Sequence, residues 1–516
     1  MGVPGHKLPY FCNMYVREKP NKSGIISVQI IDKSSGKYKV VKTIGCSSNR
    51  QDVDALIHQG KQWIKEYNGQ LQLDFDNEKQ LLSKFISGIQ KITVAGTELL
   101  LGKIFDQIGF NQIQDDLFRQ LVLARLCFPV SKLKTIDYLH KYYSIQVDED
   151  KVYRYLDKLY NTQKEKVQQI SYQHTLKILN NTISIVFYDV TTLYFEIDNE
   201  DDLRKTGFSK EGKHQNPQIV LGLLVSIDGY PLAYEVFEGN KFEGHTMIPV
   251  IDSFKQKYAL ENLVIIADSG LLSNENIATL QQKEYEFILG ARIKNEKQAV
   301  QNQILALRLK NGESQIISKD KSTRLVVSYS ASRARKDKAN REKGYRKLEK
   351  QIKSGNLTKA NINNRGYNKY LKLEGELKVT LDYSAFLADG KWDGLKGYIT
   401  NTSLPKDLVI ENYSHLWKIE KAFRISKHDL KIRPIFHRLQ RRIEAHICIA
   451  FVAYKVNKEL ERLLKLKKAL LSPEKAIAIA KTIYAITIET PLNKETIEQT
   501  LILNKDQAYL AKLFEF

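Results

Sequence analysis

The chain has 516 residues, of which 42% are hydrophobic, 10% aromatic and 27% charged. This length exceeds one compact core and this composition excludes a disordered protein, so we expect about two to four folded domains. The 80 Lys and Arg residues outnumber the 59 Asp and Glu residues and leave a formal charge of +21. A positive charge of this size favours a polyanion such as nucleic acid as the partner.

Local sequence disfavours a membrane protein, a secreted protein and a zinc protein. No apolar run approaches the roughly 20 residues of a membrane-spanning helix, and residues 1–10 lack the apolar core of a secretory signal. The four cysteines lie far apart and show no paired zinc-ligand spacing; they are Cys12, Cys46, Cys127 and Cys448. We therefore expect a cytoplasmic, nucleoid-associated protein with no membrane partner.

The N-terminal residues 1–75 are predicted to form a small β-rich module. Residues 25–31 and 38–44 are rich in β-branched side chains and are separated by a Gly-containing turn, which indicates two strands of a β-meander. Near Asp52 the pattern changes to that of a helix. A polar stretch at 68–77 then leads into the next module.

Residues 76–180 have a mostly helical period. Ser131 is placed to cap a helix through Leu139, and Asp148 or Asp150 to open another. Short helices joined by tight turns are typical of a helix-turn-helix-like unit that binds DNA ends, but an ordinary helical bundle gives the same spacing. Both interpretations remain open at this stage.

Residues 181–292 are predicted to form the first part of a sheet. Three apolar runs are followed by alternating helical and apolar segments, which indicates a mixed sheet covered by helices. The first and fourth runs end in a carboxylate, Asp189 and Asp268. Either residue alone is more simply explained as a turn former or helix cap. Two such acids at the rim of one sheet in a basic protein indicate a site.

Residues 293–398 interrupt this pattern as a basic insertion. Between 331 and 370 there are 13 Lys and Arg residues against three acids. The pattern predicts an exposed helix at 337–353 and strands at 326–330 and 383–387. A solvated helix without a ligand is the alternative to a nucleic-acid surface.

Residues 399–470 supply a strongly helical second part of the core, and residues 471–516 a helical tail. Within the core segment, Tyr413, Glu420 and Lys427 recur at intervals of seven residues. Seven residues are nearly two helical turns, so one continuous helix would present all three on one face. The alternative is a surface helix in which Glu420 pairs with the arginine four residues later.

Three carboxylates on a rigid platform suit phosphodiester cleavage. That reaction needs an activated oxygen nucleophile and a stabilised leaving oxygen, which two divalent ions about 3.5–4 Å apart provide. Mg²⁺ prefers carboxylate oxygens as protein ligands. Asp189, Asp268 and Glu420 are therefore the candidate catalytic and metal-binding residues.

These motifs together resemble the DDE transposases of bacterial insertion sequences, whose catalytic domain has an RNase H-like fold. Residues 188–192 resemble the first Asp motif of that family, and residues 267–270 resemble the second. The resemblance implies an α/β fold in which an RNase H-like mixed sheet flanked by helices is interrupted by a β-rich basic insertion. The small β module and the helical DNA-binding region would precede that core.

The helix that carries Glu420 resembles the signature of one group in this family: Tyr, two residues, Arg, three residues, Glu, six residues, Lys. Tyr413, Glu420 and Lys427 match in register, whereas Leu416 occupies the Arg position. The resemblance implies that Tyr413 and Lys427 hold the DNA backbone. We expect Lys418 or Arg424 to replace the contact that the missing arginine would make.

The implied activity is that of a DNA transposase. It would bind the terminal inverted repeats of its element as a homodimer on double-stranded DNA, hydrolyse phosphodiester bonds and join the freed 3′-hydroxyl to target DNA. Two Mg²⁺ or Mn²⁺ ions would bind Asp189 and Asp268, and Glu420 would complete one of the sites. The alternatives are a nuclease or resolvase without strand transfer and a catalytically silent DNA-binding descendant of a transposase.

Overall fold

The computed structural model describes residues 14–67, 82–209, 212–260, 262–355, 357, 361–363, 366–374, 378–490 and 494–516. The predictions for residues 1–10, Cys12 and the polar stretch 68–77 lie outside the described residues. The chain divides into two compact units, Met1–Gln90 with Ile488–Ile497 and Lys91–Thr487 with Glu498–Phe516. No helix in the described part of the chain is both long and apolar enough to cross a membrane.

The first unit contains the predicted β-meander and helix. Strands β1 (Met14–Pro20), β2 (Ile26–Asp32) and β3 (Lys39–Ser47) form an antiparallel sheet in that order. Helix α1 (Arg50–Tyr67) packs on this sheet. It lies close to β1 because Gly60 has no side chain, and a Cβ there would be 3.0 Å from Val16.

The region predicted to be mostly helical contains strand β4 (Ile89–Val94) and then helices α2 (Lys103–Ile108), α3 (Asp116–Cys127), α4 (Lys132–Tyr143), α5 (Glu149–Lys158) and α6 (Lys164–Ile178). These helices belong to the second unit. Ser131 caps α4 by accepting a hydrogen bond from the Lys134 backbone N–H at 3.4 Å, and Asp148 precedes α5. Its binding of DNA stays a prediction.

The predicted mixed sheet flanked by helices is also confirmed. Its strands are β5 (Ile185–Tyr194), β6 (Gln218–Ser226), β7 (Pro231–Glu238), β8 (Val264–Ala267), β9 (Glu286–Ala291), β10 (Ser314–Ser318), β11 (Arg324–Tyr329) and β14 (Leu395–Thr400). The order across the sheet is β10-β11-β14-β9-β8-β5-β6-β7. The pairs β5/β8 and β8/β9 are parallel, and the other pairs are antiparallel.

Helices cover both faces of this sheet. On one face the core includes residues of α7 (Met247–Tyr258), α8 (Asn274–Gln282) and α9 (Gln298–Ala306). On the other it includes residues of α12 (Lys406–Ser414), α13 (Trp417–Arg424) and the long helix α14 (Gln440–Leu466). The central strands are buried on both sides, as their nearly continuous apolar sequences predict.

Residues 293–398 are partly built into the core sheet. They supply β10, β11 and the start of β14 to the central sheet, so the interruption lies between β11 and β14. This part contains α10 (Ala331–Lys353), a hairpin of β12 (Leu371–Glu374) and β13 (Lys378–Leu381), and α11 (Tyr383–Gly390). The basic helix predicted at 337–353 is confirmed and begins six residues earlier.

Two local predictions are wrong. The strand expected at 383–387 is helix α11, because Asp382 accepts a hydrogen bond from the Ala385 N–H at 3.0 Å and caps a helical turn. The C-terminal segment 471–516 is not purely helical. It contains α15 (Pro473–Ala480) and α16 (Lys505–Phe514), but also β15 (Tyr484–Glu489) and β16 (Thr496–Leu501).

An acidic residue joins α13 to α14. Glu461 of α14 accepts hydrogen bonds from Lys421 at 2.7 Å and from Lys458 at 2.8 Å. Burial would raise the pKa of the Glu461 carboxyl, but these two ammonium groups lower it to about 2. The contact matters for the site because α13 carries Glu420.

We predict that Glu461→Gln destabilises the protein near neutral pH more than in acid. The folded-state pKa lies below the unfolded one, so the stabilisation is present above a pH of about 4.5 and is lost as the pH falls towards about 2. After allowance for solvent screening, we expect a loss of about 1 kcal/mol at neutral pH. Urea denaturation at several pH values measures it, and the exposed Glu474→Gln is the control. An equal loss at every pH would contradict the assignment.

Candidate active site

The two aspartates lie side by side on adjacent parallel strands. Asp268 directly follows the end of β8, as predicted, whereas Asp189 lies in the middle of β5, which continues to Tyr194. In the pairing of β5 with β8, Tyr188 is opposite Ala267, so the next position places Asp189 beside Asp268. Neighbouring strands are about 4.8 Å apart and side chains in register point to the same face. By this alternation both carboxylates share the face of Phe187 and Ile266, which is the face covered by α12, α13 and α14. One cation could therefore reach both.

The two carboxylates have different surroundings. Asp189 is partly buried, and its Oδ1 accepts a hydrogen bond from the Val190 backbone N–H at 2.8 Å. Asp268 is exposed, and its Oδ1 accepts a hydrogen bond from the Tyr413 hydroxyl at 3.0 Å. Both side chains are carboxylates, the type of ligand that a hard divalent cation prefers.

Tyr413 reaches Asp268 because a glycine gives it room. Gly290 follows Leu289, the partner of Ala267 in β9, and so lies beside Asp268. A Cβ on Gly290 would be 2.4 Å from the Tyr413 hydroxyl oxygen. Burial raises the pKa of Tyr413, and the charge of Asp268 raises it further, so the phenol stays protonated as a hydrogen-bond donor. Tyr413 is thus a positioning residue for Asp268.

The prediction of one continuous helix from Tyr413 to Lys427 is wrong. Helix α12 ends at Ser414, and a tight turn separates it from α13. In this turn four backbone N–H groups bond three residues back rather than four; they belong to His415, Leu416, Lys418 and Ile419. A π-helical turn, Ile425–Asp429, follows α13. The seven-residue spacing therefore does not give one α-helical face.

Glu420 lies on the exposed side of α13, which packs against β5. The negative charges of Glu420 and of Asp268 both contribute to the pKa shifts of Tyr413 and Lys396. Within the described ranges, however, no three Asp, Glu, His or Cys side chains are arranged to hold a metal ion. The structure therefore pairs the two aspartates and brings Glu420 near Asp268 without closing a three-ligand group.

The four residues expected to contact DNA are not all near the carboxylates. Lys418 donates a hydrogen bond to the Ile227 carbonyl at 2.6 Å and lies beside the turn between β6 and β7. Arg424 is exposed one turn after Glu420 on the same helix. Lys427 is partly buried and lines a small pocket with Thr191 of β5. Tyr413 is in direct contact with Asp268.

A basic cavity of about 700 Å³ opens beside Asp268. Its cationic lining comes from the turn after β9, α10, the segment before β12, and β14; these residues are Arg292, Lys294, Arg333, Arg341, Lys369 and Lys396. Neither Lys396 nor Gly290 was predicted from the sequence. A lysine in the otherwise apolar strand β14 is the one signal that pointed to Lys396.

The comparisons with known proteins agree with this geometry. Residues 181–455, more than half of the chain, match the family model for the transposase DDE domain. The chain belongs to this family. The match includes both aspartates, Glu420 and the whole interruption between β11 and β14. No curated protein matches the chain.

Three solved transposase structures are similar to this DDE-domain protein. One is the piggyBac transposase synaptic complex with hairpin DNA, at 9% identity over 78% of this chain and 79% of that chain, with a TM-score of 0.39. Another is the Mos1 transposase paired-end complex with the left transposon end, at 15% identity over 35% and 57%, TM-score 0.16. A Mos1 mariner paired-end complex with Mn has 14% identity over 44% and 71%, TM-score 0.15.

We predict that Gly290→Ala separates Tyr413 from Asp268. The added methyl group would overlap the phenol, so the ring must move or the strand must shift, at a cost of about 1–3 kcal/mol. Urea denaturation measures the loss. Gly270→Ala is the matched control because no atom lies within 4 Å of a Cβ there. Equal stability of the two variants would show that the phenol does not occupy this space.

Proposed function

We propose that this DDE-domain protein is the transposase of a bacterial insertion sequence. It binds the terminal inverted repeats of its element, hydrolyses a phosphodiester bond at each end and joins the freed 3′-hydroxyl to target DNA. The observation that carries the proposal is the parallel register of β5 and β8, which pairs Asp189 with Asp268 inside a family-matched domain. The substrate would place the protein with the nucleoid DNA of the cytoplasm.

The donor set fits two Mg²⁺ or Mn²⁺ ions. Asp189 and Asp268 would bind both, and Glu420 would complete one of the sites; all three offer the carboxylate oxygens that such ions prefer. Glu420 is exposed on α13 and has rotatable side-chain bonds, so its carboxylate can swing towards Asp268 when positive charge is present. The bound ions would supply Lewis-acid activation of water and of the 3′-hydroxyl.

The side chains around the carboxylates would orient the site and the DNA. Tyr413 fixes one oxygen of Asp268 and leaves the other for coordination. Arg424 and Lys427 follow Glu420 along the chain and are placed to contact the backbone of the bound strand. Lys418 instead supports the turn after β6, because its ammonium group bonds the Ile227 carbonyl.

The basic interruption between β11 and β14 would hold the DNA near the cut. Helix α10 has exposed cations along its length. The cavity beside Asp268 is lined by six basic side chains, of which Arg333 and Arg341 lie on that helix. Contacts with phosphate would make the affinity for DNA fall as salt rises. A homodimer would bring the two ends of the element together.

We predict that Asp189→Asn and Asp268→Asn each abolish cleavage and leave DNA binding within about threefold of the native chain. An amide cannot replace a bridging carboxylate, and losses of at least about 10³-fold in rate are expected when a metal ligand is removed. The substrate is a supercoiled plasmid that carries the genomic DNA found on both sides of the coding sequence. Cleavage in Mg²⁺ is followed on gels, and binding by mobility shift.

Asp198→Asn is the matched control, because Asp198 is exposed and lies in the loop after β5. Cleavage by either catalytic-site variant at the native rate would overturn the site assignment. Cleavage without joined products would support the nuclease or resolvase. Specific binding without cleavage by the native chain would support the silent DNA-binding protein.

A further inference from the structure

Lys396 is a cation at the carboxylate site that no motif in the sequence identifies. It lies in β14 opposite Ser328 of β11, two residues before Tyr398. Side chains alternate along a strand, so Lys396 and Tyr398 point to the same face of the sheet. Tyr398 belongs to the core that contains Tyr413, which places Lys396 on the face that carries both aspartates.

Two tyrosine rings hold the ammonium group. The Lys396 Nζ lies 4.4 Å from the ring centroid of Tyr413 and 5.4 Å from that of Tyr398. These two rings pack edge to face, with centroids 4.9 Å apart. Tyr413 in turn donates its hydrogen bond to Asp268. One short chain of contacts therefore links the lysine to an aspartate of the site.

The charge of Lys396 has no carboxylate at contact distance. Within the described ranges no Asp or Glu oxygen lies within the 4.0 Å that defines an ion pair with its Nζ. Four other cations of the cavity have a carboxylate partner: Lys294 and Lys369 share Asp389, Arg341 pairs with Asp393, and Arg333 lies 3.5 Å from Asp337. Lys396 thus keeps its charge available on the wall of the cavity beside Asp268.

In the family signature that the Glu420 helix resembles, an arginine stands at the position of Leu416. This position supplies no cation in the present chain. Leu416 is buried, with 8% of its surface exposed. Lys418 is drawn to the Ile227 carbonyl. Lys396 comes from a different strand. Burial and the charge of Arg333 lower the pKa of its ammonium group, and the charges of Asp268 and Glu420 oppose that effect.

We propose that Lys396 contacts a non-bridging oxygen of the scissile phosphate. The inference rests on the proposed function. In the hydrolytic step, water adds its oxygen to phosphorus as the bond between phosphorus and the 3′-oxygen breaks, and a water proton passes to that oxygen. Lys396 stays protonated throughout and lowers the barrier because negative charge on the phosphate oxygens is stabilised by a held ammonium group. The tyrosine rings fix its position before the DNA arrives.

The test compares Lys396→Ala, Lys396→Arg and Lys391→Ala. Lys391 is the matched control because it is an exposed lysine just before the same strand. The probe is a linear duplex of the DNA that flanks the gene. Single-turnover cleavage is measured in Mg²⁺, and the dissociation constant for the same duplex is measured in Ca²⁺. Thermal midpoints of all variants show whether each one folds.

We expect Lys396→Ala to slow single-turnover cleavage by about 10²–10³-fold, as when one transition-state donor is removed. Its dissociation constant should change by less than about threefold, because other phosphates are still bound. Lys396→Arg should recover most of the rate, since it restores the cation, and Lys391→Ala should cleave as the native chain does. If Lys396 only supported folding, we would not expect Lys396→Arg to recover the cleavage rate.

A Lys396→Ala rate within about threefold of that of Lys391→Ala would overturn the inference. So would a loss of rate that arginine does not recover. Asp189→Asn, run in parallel, separates the two proposals. If that variant is inactive while Lys396→Ala is fully active, the proposed function stands and the role of Lys396 falls. If Asp189→Asn cleaves at the native rate, both fall.

Discussion

The candidate site depends on the parallel pairing of two short buried strands. The β5/β8 register brings Asp189 and Asp268, 79 positions apart in the sequence, into neighbouring positions on one face of the sheet. The strands are fixed by apolar side chains on both faces, so the carboxylates cannot move apart without disturbing the core. Two like charges held at this distance repel each other. A divalent cation relieves that repulsion, and the rigidity of the sheet is what makes the pair suited to one.

The residues around the two aspartates have different roles, some structural and some chemical. Gly290 makes room for Tyr413, Tyr413 fixes Asp268, and the rings of Tyr413 and Tyr398 hold Lys396. Glu420 instead lies exposed on a helix that a tight turn separates from Tyr413. The two aspartates are thus held in place by the sheet, whereas Glu420 would have to move to join them. In the proposed function, this arrangement would couple completion of the site to the arrival of positive charge or of DNA.

The strands that carry the two aspartates could be predicted from the sequence, whereas several other features could not. Physical reasons explain both outcomes. The strands around Asp189 and Asp268 are long apolar runs. Such a run indicates a buried strand even when only one sequence is known. The helix break at Leu416 escaped because a 3₁₀ turn has nearly the same residue spacing as an α-helix. Lys396 escaped because its importance comes from the pairing of β14 with β9, which joins segments about a hundred residues apart and leaves no periodic trace. The strand expected near Tyr383 failed because the capping side chain of Asp382 outweighed the β-propensity of the aromatic residues after it.

The central claim is that Asp189, Asp268 and Glu420 together bind divalent cations. Crystals of the native chain and of Asp268→Asn, grown with Mn²⁺ and the flanking-DNA duplex, test it through the anomalous scattering of manganese. The account predicts one peak between the carboxylates of Asp189 and Asp268, a second beside Glu420, and loss of the shared peak in the variant. Native crystals with no anomalous peak at these carboxylates, or the same peaks in Asp268→Asn, would contradict it.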